Sequence, residues 1–395
     1  FFFKQKTAYE IKECDWSSDV CSSDLLNTNS LSNTDLILES LDGEDTVLIE
    51  GFIEGKEFSC IVVENELGDS IALPPTEIRK GKELFDYRSK YLPGLSRKIT
   101  PIQIPDQDIL RITKECERLF VKLKFDVYAR IDGFITKDGK IYLNDPNTTS
   151  GMMPSSFFFH QAAEIGLNPS QFLSFIVRTS VYKRIQQCHH SKKFDSILCR
   201  IDDYLENEKS EDHKKISVAV LLGGYSSERH ISVESGRNIF EKLSSSDKYS
   251  PFPVFLTGSN TSHELFQIPI NVLLKDNADD ILEKVRHYEV HEVVKSIQQR
   301  CNSITEKYSS KGQVTSLESL SYLELSKKAD QVFIALHGRP GEDGAVQLEL
   351  ERVRLSYNGS DFQSSSITID KYRTNEILKK NGFLVAEHVL IEKNE

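Results

Sequence analysis

The stretch from Tyr128 to Met152 holds the residues whose types and spacing are best suited to chemistry. Its sequence, YARIDGFITKDGKIYLNDPNTTSGM, contains an Asp-Gly pair between two segments that alternate like strands. Asp-Gly accepts the positive φ angles of a type I′ turn, so the pattern predicts a β-hairpin with a two-residue turn. In that hairpin Lys137 opposes Lys140, and this pairing sets the register of both strands.

The predicted register brings four polar residues onto one face of the hairpin. Asp132 lies across from Asp145, and Arg130 lies across from Asn147. Two opposed carboxylates repel each other at the ~5 Å spacing of cross-strand pairs, so the pairing predicts a cation between them. Oxygen-only ligands favour Mg²⁺ or Mn²⁺ over zinc. The alternative interpretation is an ordinary surface hairpin with scattered acidic residues.

The same stretch resembles the carboxy-terminal half of the ATP-grasp D-alanine–D-alanine ligase family. That family's R-x-D pattern is present as RID at residues 130–132. Its E-x-N-T-x-P-G-M pattern is present as DPNTTSGM at residues 145–152. Two letters depart from the family pattern, because aspartate replaces the glutamate and serine replaces the proline.

The resemblance implies a role for each polar residue of the hairpin. Asp132, Asp145 and Asn147 would hold Mg²⁺ on the phosphates of ATP. Arg130 and the backbone N–H of Gly151 would stabilise the oxyanion that develops as an acyl phosphate forms and is attacked. The expected cofactors are therefore ATP and Mg²⁺ or Mn²⁺.

Other site residues follow from the resemblance alone. Within DYRSKY at residues 86–91, Lys90 would contact the transferring phosphate and Tyr91 would orient the first substrate. Ser156 and Phe157, at the start of a predicted helix, match the positions that receive the second D-alanine. The residues that the resemblance assigns to ATP are Glu50, Ile53, Glu57, Lys90, Phe134 and Lys371.

A second set of family patterns begins near Ile216. A buried-type strand leads into GGYSSERHIS at residues 223–232, where Glu228 would bind the ammonium group of the first D-alanine. HGRPGEDG follows at residues 337–344, where His337 would lie near the same substrate. These patterns resemble the amino-terminal half of the family, so the two halves occur in reversed order. A fragment of a tandem ligase and a natural permutation both explain that order.

The expected fold class is α/β. An α+β ATP-grasp carboxy-terminal domain with an antiparallel sheet should precede a Rossmann-like parallel α/β domain. Residues 1–25 resemble translated sequencing-adapter DNA and are set aside. The predicted segments are 26–182, the carboxy-terminal ligase half; 183–215, a charged linker with a short helix; 216–366, the amino-terminal substrate domain with a helical insertion at about 258–330; and 367–395, the start of a central ATP-binding domain.

Composition limits the partners of the chain. A net charge of −11 gives no general attraction for nucleic acid or anionic lipid, and no apolar run approaches the ~20 residues of a membrane span. The seven cysteines show no paired spacing, which indicates a reducing cytoplasm. The resemblance to the ligase family implies D-alanine and ATP as partners, and a homodimer is possible.

The function that the resemblance implies is ATP-dependent joining of two D-alanines for peptidoglycan precursor synthesis. A ligase for a different amino acid pair and a non-catalytic binding module remain alternatives. The sequence contains no glycine- and serine-rich phosphate loop after a V-K-P strand. We therefore expect the full-length chain to supply a central domain, and this chain alone to make no dipeptide.

Overall fold

The computed structural model describes residues 2–4, 25–27, 48–80, 96–153, 156–187, 192–211, 214–275, 277–309, 314 and 316–391. The chain divides into two compact units. The first unit comprises Phe1–Asp203 and Val290–Ser309, and the second comprises Tyr204–Glu289 and Ser310–Glu395.

Strands and helices are numbered here along the chain. The strands are β1 (Phe2–Lys4), β2 (Leu25–Asn27), β3 (Leu48–Glu50), β4 (Gly55–Glu64), β5 (Ser70–Ala72), β6 (Thr76–Lys80), β7 (Ser96–Ile99), β8 (Tyr128–Thr136), β9 (Ile141–Asn147), β10 (Ile216–Gly223), β11 (Tyr249–Ser259), β12 (Ser262–Gln267), β13 (Glu318–Leu320), β14 (Gln331–Ile334) and β15 (Ser356–Tyr357). The helices are α1 (Asp106–Lys122), α2 (Phe157–Glu164), α3 (Pro169–Gln187), α4 (Lys192–Glu211), α5 (Arg229–Ser244), α6 (Ile270–Leu273), α7 (Ala278–Arg286), α8 (Glu292–Arg300), α9 (Asn302–Tyr308), α10 (Tyr322–Lys328), α11 (Ala345–Arg352), α12 (Phe362–Thr368) and α13 (Lys371–Lys380).

The first unit is built on an antiparallel sheet with strand order β7-β6-β4-β8-β9, and β5 pairs with the far end of β4. The long central strand β4 is buried over its last seven residues, which explains its almost continuous run of apolar side chains. A small separate sheet has the order β2-β1-β3. The predicted antiparallel sheet of the carboxy-terminal domain is confirmed.

Aromatic side chains fill the space between this sheet and helices α2 and α3. Phe58, Phe158 and Phe172 are fully buried, and the rings of Phe158 and Phe172 lie 4.6 Å apart between centroids. On α1, apolar residues recur at helical spacing, and Ile109 and Ile112 are fully buried. Burial of one helix stripe against one sheet face is the usual way in which such layers are stabilised.

Helices α8 and α9 pack within the first unit although they follow much of the second unit in sequence. Ile297 and Ile304 are buried, and the Tyr308 ring lies 5.5 Å from that of Phe175. The Arg300 guanidinium is paired with a carboxylate of α1 at 2.7 Å. The sequence predicts this segment in the second domain, because helical periodicity identifies an apolar helix face without identifying the surface that covers it.

The second unit contains a mixed six-stranded sheet with the order β13-β12-β11-β10-β14-β15. Strands β11, β10, β14 and β15 are parallel, which confirms the predicted Rossmann-like core. Strands β12 and β13 are antiparallel additions at one edge, so the predicted helical insertion also contributes strands. Within the described part of the chain, none of the helices is long and apolar enough to cross a membrane.

Candidate active site

The hairpin of β8 and β9 has the predicted pairing at the end that carries the predicted site residues. Asp132 is opposite Asp145, and Arg130 is opposite Asn147. Opposed residues of antiparallel strands share a face, so these four side chains lie on the same side of the sheet.

The predicted two-residue turn is wrong, however. The N–H of Thr136 donates to the carbonyl of Lys140 at 3.0 Å, and the N–H of Gly139 donates back to Thr136 at 2.9 Å. Three residues therefore lie between this closing pair, with Gly139 at a φ of 76°. Such a loop shifts the register by one residue relative to a type I′ turn.

A β-bulge restores the predicted pairing beyond the turn. Near the loop Gly133 is opposite Leu143, and the register then shifts so that Asp132 is opposite Asp145. Asn144 is the extra residue on β9. A Cβ at position 133 would lie 2.4 Å from the carbonyl oxygen of Tyr142, so only glycine fits beside the bulge. The loop and the bulge together produce the predicted face.

Arg130, which is buried, and Asp132, which is partly buried, form an ion pair at the centre of that face. Arg130 is only 4% exposed, and its Nη2 lies 3.1 Å from Oδ2 of Asp132. Burial raises the pKa of Asp132 to about 6, against the opposing effect of Arg130. The negative charge of Asp145 raises the same pKa further. The site therefore concentrates negative charge where a cation would stabilise it.

The residues present fit a hard divalent cation. The buried Oδ1 of Asp132 has no hydrogen-bond partner among the described residues. Asn147 donates its amide N–H to the backbone carbonyl of Asp145 at 2.9 Å, which orients its side chain. Among the described residues there is no cluster of three His, Cys, Asp or Glu side chains. Two carboxylates and an amide oxygen form an oxygen-only set, which suits Mg²⁺ or Mn²⁺.

Three further predicted residues lie on or beside this hairpin. Glu57 on β4 is opposite Phe134 on β8, which places both on the face that carries Asp132. Both side chains are partly buried. Gly151 follows the end of β9 by four residues and is partly buried.

The start of α2 holds the two residues predicted to receive the second D-alanine. Ser156 occupies the N-cap position, and its buried hydroxyl has no hydrogen-bond partner among the described residues. Phe157 is the first helical residue, and the ammonium of Lys98 lies 5.0 Å from the centre of its ring. Lys98 was not singled out from the sequence, because its contact depends on two segments that are distant along the chain.

Several predicted residues cannot be placed. Lys90 and Tyr91 lie outside the described residues, and so does the side chain of Glu50, whose backbone ends β3. Ile53 is described in an irregular segment before β4 and is partly buried. The roles of these residues stay predictions.

The second unit brings Glu228 and His337 together. His337 Nε2 lies 2.8 Å from the hydroxyl of Ser235, and its backbone N–H donates to Ser232 at 2.9 Å. A Cβ at Gly338, where φ is 66°, would lie 2.7 Å from a carboxylate oxygen of Glu228. The glycine therefore permits the close approach of the two sequence patterns. Lys371 belongs to the same unit, as the exposed first residue of α13.

Two family matches correspond to the two units, except that residues 290–309 fall within the second match and belong to the first unit. Residues 11–178 match the description "D-ala D-ala ligase C-terminus", and residues 217–360 match "D-ala D-ala ligase N-terminus". The first match begins inside the segment that was set aside as adapter-like, so the boundary at residue 25 stays a prediction. The order of the matches is the order predicted from the sequence.

Individual relatives align with part of the chain. D-Alanine–D-alanine ligase B of Clostridium perfringens is 29% identical over 45% of this chain and 56% of its own length. The D-alanine–D-alanine ligase of Halalkalibacterium halodurans is 34% identical over 37% and 48%. A crystal structure of the Bacillus anthracis D-alanine–D-alanine ligase complexed with ATP is 29% identical over 41% and 52%, with a TM-score of 0.35.

The chain thus spans about half the length of the curated relatives that it matches. Each half of the family is represented once, and the patterns that carry each half lie in separate compact units. The chain belongs to the D-alanine–D-alanine ligase family, with a carboxy-terminal ligase domain preceding an amino-terminal one.

Proposed function

We propose that the protein containing this chain joins two D-alanines to D-alanyl-D-alanine at the expense of ATP, with ADP and phosphate as the other products. The observation that carries the proposal is the ion pair between the buried Arg130 and the partly buried Asp132, on one face with Asp145 and Asn147. Such a face combines an anion-stabilising guanidinium with oxygen ligands for a divalent cation. The family membership supplies the substrate class.

In this reaction the carboxylate of the first D-alanine attacks the γ-phosphoryl group of ATP, which gives an acyl phosphate and ADP. The amine of the second D-alanine then attacks the acyl carbon, and phosphate leaves. Arg130 and the Gly151 N–H would stabilise the oxyanion that forms on the acyl group. Arg130 is suited to this role because it is buried and held beside Asp132.

Asp132, Asp145 and Asn147 would hold Mg²⁺ or Mn²⁺. When bound, the ion would neutralise charge on the ATP phosphates as the phosphoryl group transfers. Glu57 and Phe134 would contact the nucleotide from the same sheet face. Their placement opposite each other on β4 and β8 supports a shared role.

The remaining assignments concern residues away from the hairpin. Lys90 would contact the transferring phosphate, and Tyr91 would orient the first substrate. Glu228 and His337 would bind the first D-alanine in the site of the second ligase copy. Their proximity in the second unit supports this assignment.

We also propose that a central ATP-binding domain in a longer protein completes each site, with Lys371 near the start of one such domain. The expected setting is the bacterial cytoplasm, where ATP and peptidoglycan precursors meet, and a homodimer stays a prediction. Dipeptide synthesis is therefore best measured with the full-length protein.

The decisive experiment substitutes Asp132→Asn in the full-length protein. We expect dipeptide synthesis to fall about 100-fold, because the isosteric amide removes the central charge that holds the cation. Asp138→Asn is the matched control, since Asp138 lies in the loop of the same hairpin with 58% of its side chain exposed. The control should retain full activity.

Unchanged synthesis in Asp132→Asn would contradict a catalytic role for the first unit and favour a non-catalytic ligase-like module. Asp145 and the serine at position 150, which depart from the family pattern, favour that second candidate. A comparison of phosphate release with D-alanine, D-serine, D-lactate and L-amino acids would distinguish a ligase for another substrate pair.

A further inference from the structure

The central strand β4 changes partners in the middle of the site. It pairs with β6 up to Ser59 and with β5 from Val62 onward. Between β5 and β6 lie Pro74 and Pro75, which have no backbone N–H to donate to a neighbouring strand. A gap in the ladder therefore opens beside Ser59 and Ile61.

The side chain of Gln161, on helix α2, fills this gap. Its Oε1 accepts the backbone N–H of Ile61 at 2.8 Å, and its Nε2 donates to the carbonyl of Ser59 at 2.9 Å. The same Nε2 lies 3.1 Å from the hydroxyl oxygen of Thr76 on β6. Gln161 is 0% exposed. One amide group thus replaces a missing strand partner and ties the helix to two strands.

The two strand residues that Gln161 binds are those that face the catalytic pair. Ser59 is opposite Asp132, and Ile61 is opposite Arg130. Within helix α2, Gln161 follows Phe157 by four residues. Both side chains therefore lie on the same helix face, about 6 Å apart along the axis.

We propose that Gln161 is a positioning residue that holds the substrate-binding start of α2 at a set distance from Arg130 and Asp132. It does not touch the substrate. It acts through Ser156 and Phe157, which would receive the acceptor D-alanine. This inference rests on the proposed function, because the acceptor assignment at Ser156 and Phe157 does.

The kinetic test uses Gln161→Met in the full-length protein, since methionine keeps the volume and removes all three hydrogen bonds. We expect the KM for the acceptor D-alanine, separated from the donor by two-substrate kinetics, to rise at least about tenfold. The KM for ATP should stay unchanged. A purely structural loss would lower the amount of active enzyme and leave both KM values as they were.

The matched control is Gln298→Met. Gln298 donates to the carbonyl of Glu164, at the other end of α2, at 2.7 Å. The Gln298→Met substitution removes one hydrogen bond from the same helix, far from Phe157, so the acceptor KM should not change.

If Gln161→Met does not fold, Gln161→Glu is the second variant, because it keeps the hydrogen-bond acceptor for the Ile61 N–H but lacks an amide donor for the Ser59 carbonyl. It should also raise the acceptor KM.

A second measurement does not require activity. In the chain described here, hydrogen exchange should become faster at Ile61 and in the first turn of α2 for Gln161→Met, but not for Gln298→Met. Unchanged exchange at both places would overturn the inference even if the protein made no dipeptide. An inactive wild-type full-length protein would instead count against the proposed function. An active wild type with an unchanged acceptor KM in the variant would overturn the inference alone.

Discussion

Replacing Arg178 by methionine should test how the first unit is held together. Arg178 on α3 is 5% exposed and forms a two-point ion pair with Asp202 on α4, at 2.6 and 3.0 Å. Its third nitrogen donates to Glu66, in the turn after β4, at 2.5 Å. One buried guanidinium therefore connects three segments of the unit.

The expected loss can be worked out from burial. Removing one partner of a buried ion pair costs about 3–5 kcal/mol, because the other charge is left without compensation. Here Asp202 and Glu66 keep 33% and 37% of their side chains exposed, and Lys307 still pairs with Glu66 at 2.8 Å. Hydration of these two carboxylates and the pairing with Lys307 offset part of the lost free energy. We expect the free energy of unfolding of the first unit to fall by about 2–3 kcal/mol.

The assay is hydrogen exchange as a function of denaturant, because two units make a single unfolding free energy poorly defined. Amides of β4 and β8 report on the first unit, and amides of β10 and β11 report on the second. Arg178→Met should lower the unfolding free energy that is measured from amides of the first unit, and should leave that of the second unit unchanged.

Arg229→Met is the matched control. Arg229 makes the same two-point pair with Asp279, at 2.8 and 3.0 Å, but these side chains are 33% and 57% exposed. An exposed pair of this kind contributes about 0–1 kcal/mol, so the second unit should change little. Equal losses in the two variants would refute the argument that burial sets the cost.

Two further predictions concern the same unit. Ile297→Ala should lower the opening free energy by about 2–5 kcal/mol, because Ile297 is 2% exposed. The loss should be seen in amides of α1 and β5, and a loss confined to β10 and β11 would contradict the assignment of α8 to the first unit. The hydrogen bond from Arg178 lowers the pKa of Asp202 below its ordinary value. Asp202 therefore stabilises the folded unit fully above about pH 5, and this stability is lost as the pH falls through its folded pKa. Asp202→Asn should flatten the dependence of the unfolding free energy on pH between pH 7 and pH 3. An unchanged dependence over this range would contradict a stabilising ion pair between Arg178 and Asp202.

The sequence by itself determined which polar residues share one face of the hairpin and the identity of the two ligase halves. Alternation of apolar and polar residues over 128–147 specifies strands, and the pairing of Asp132 with Asp145 was correctly predicted. The local patterns around Glu228 and His337 likewise predicted that both lie near one substrate position. These features depend on residues that are close in sequence or on letters that the family shares.

Tertiary structure alone decided the features that depend on distant segments. The turn has three residues instead of two, and a bulge compensates for it, because Gly133 is the position where β9 can pass close to the backbone. Residues 290–309 belong to the first unit because the apolar face of this segment packs against α1 and β5. Gln161 reads in the sequence as an ordinary polar helix residue. Its role follows from a gap in the strand ladder about 100 residues earlier in the chain, beside two prolines, where it binds the carbonyl of Ser59 and the N–H of Ile61.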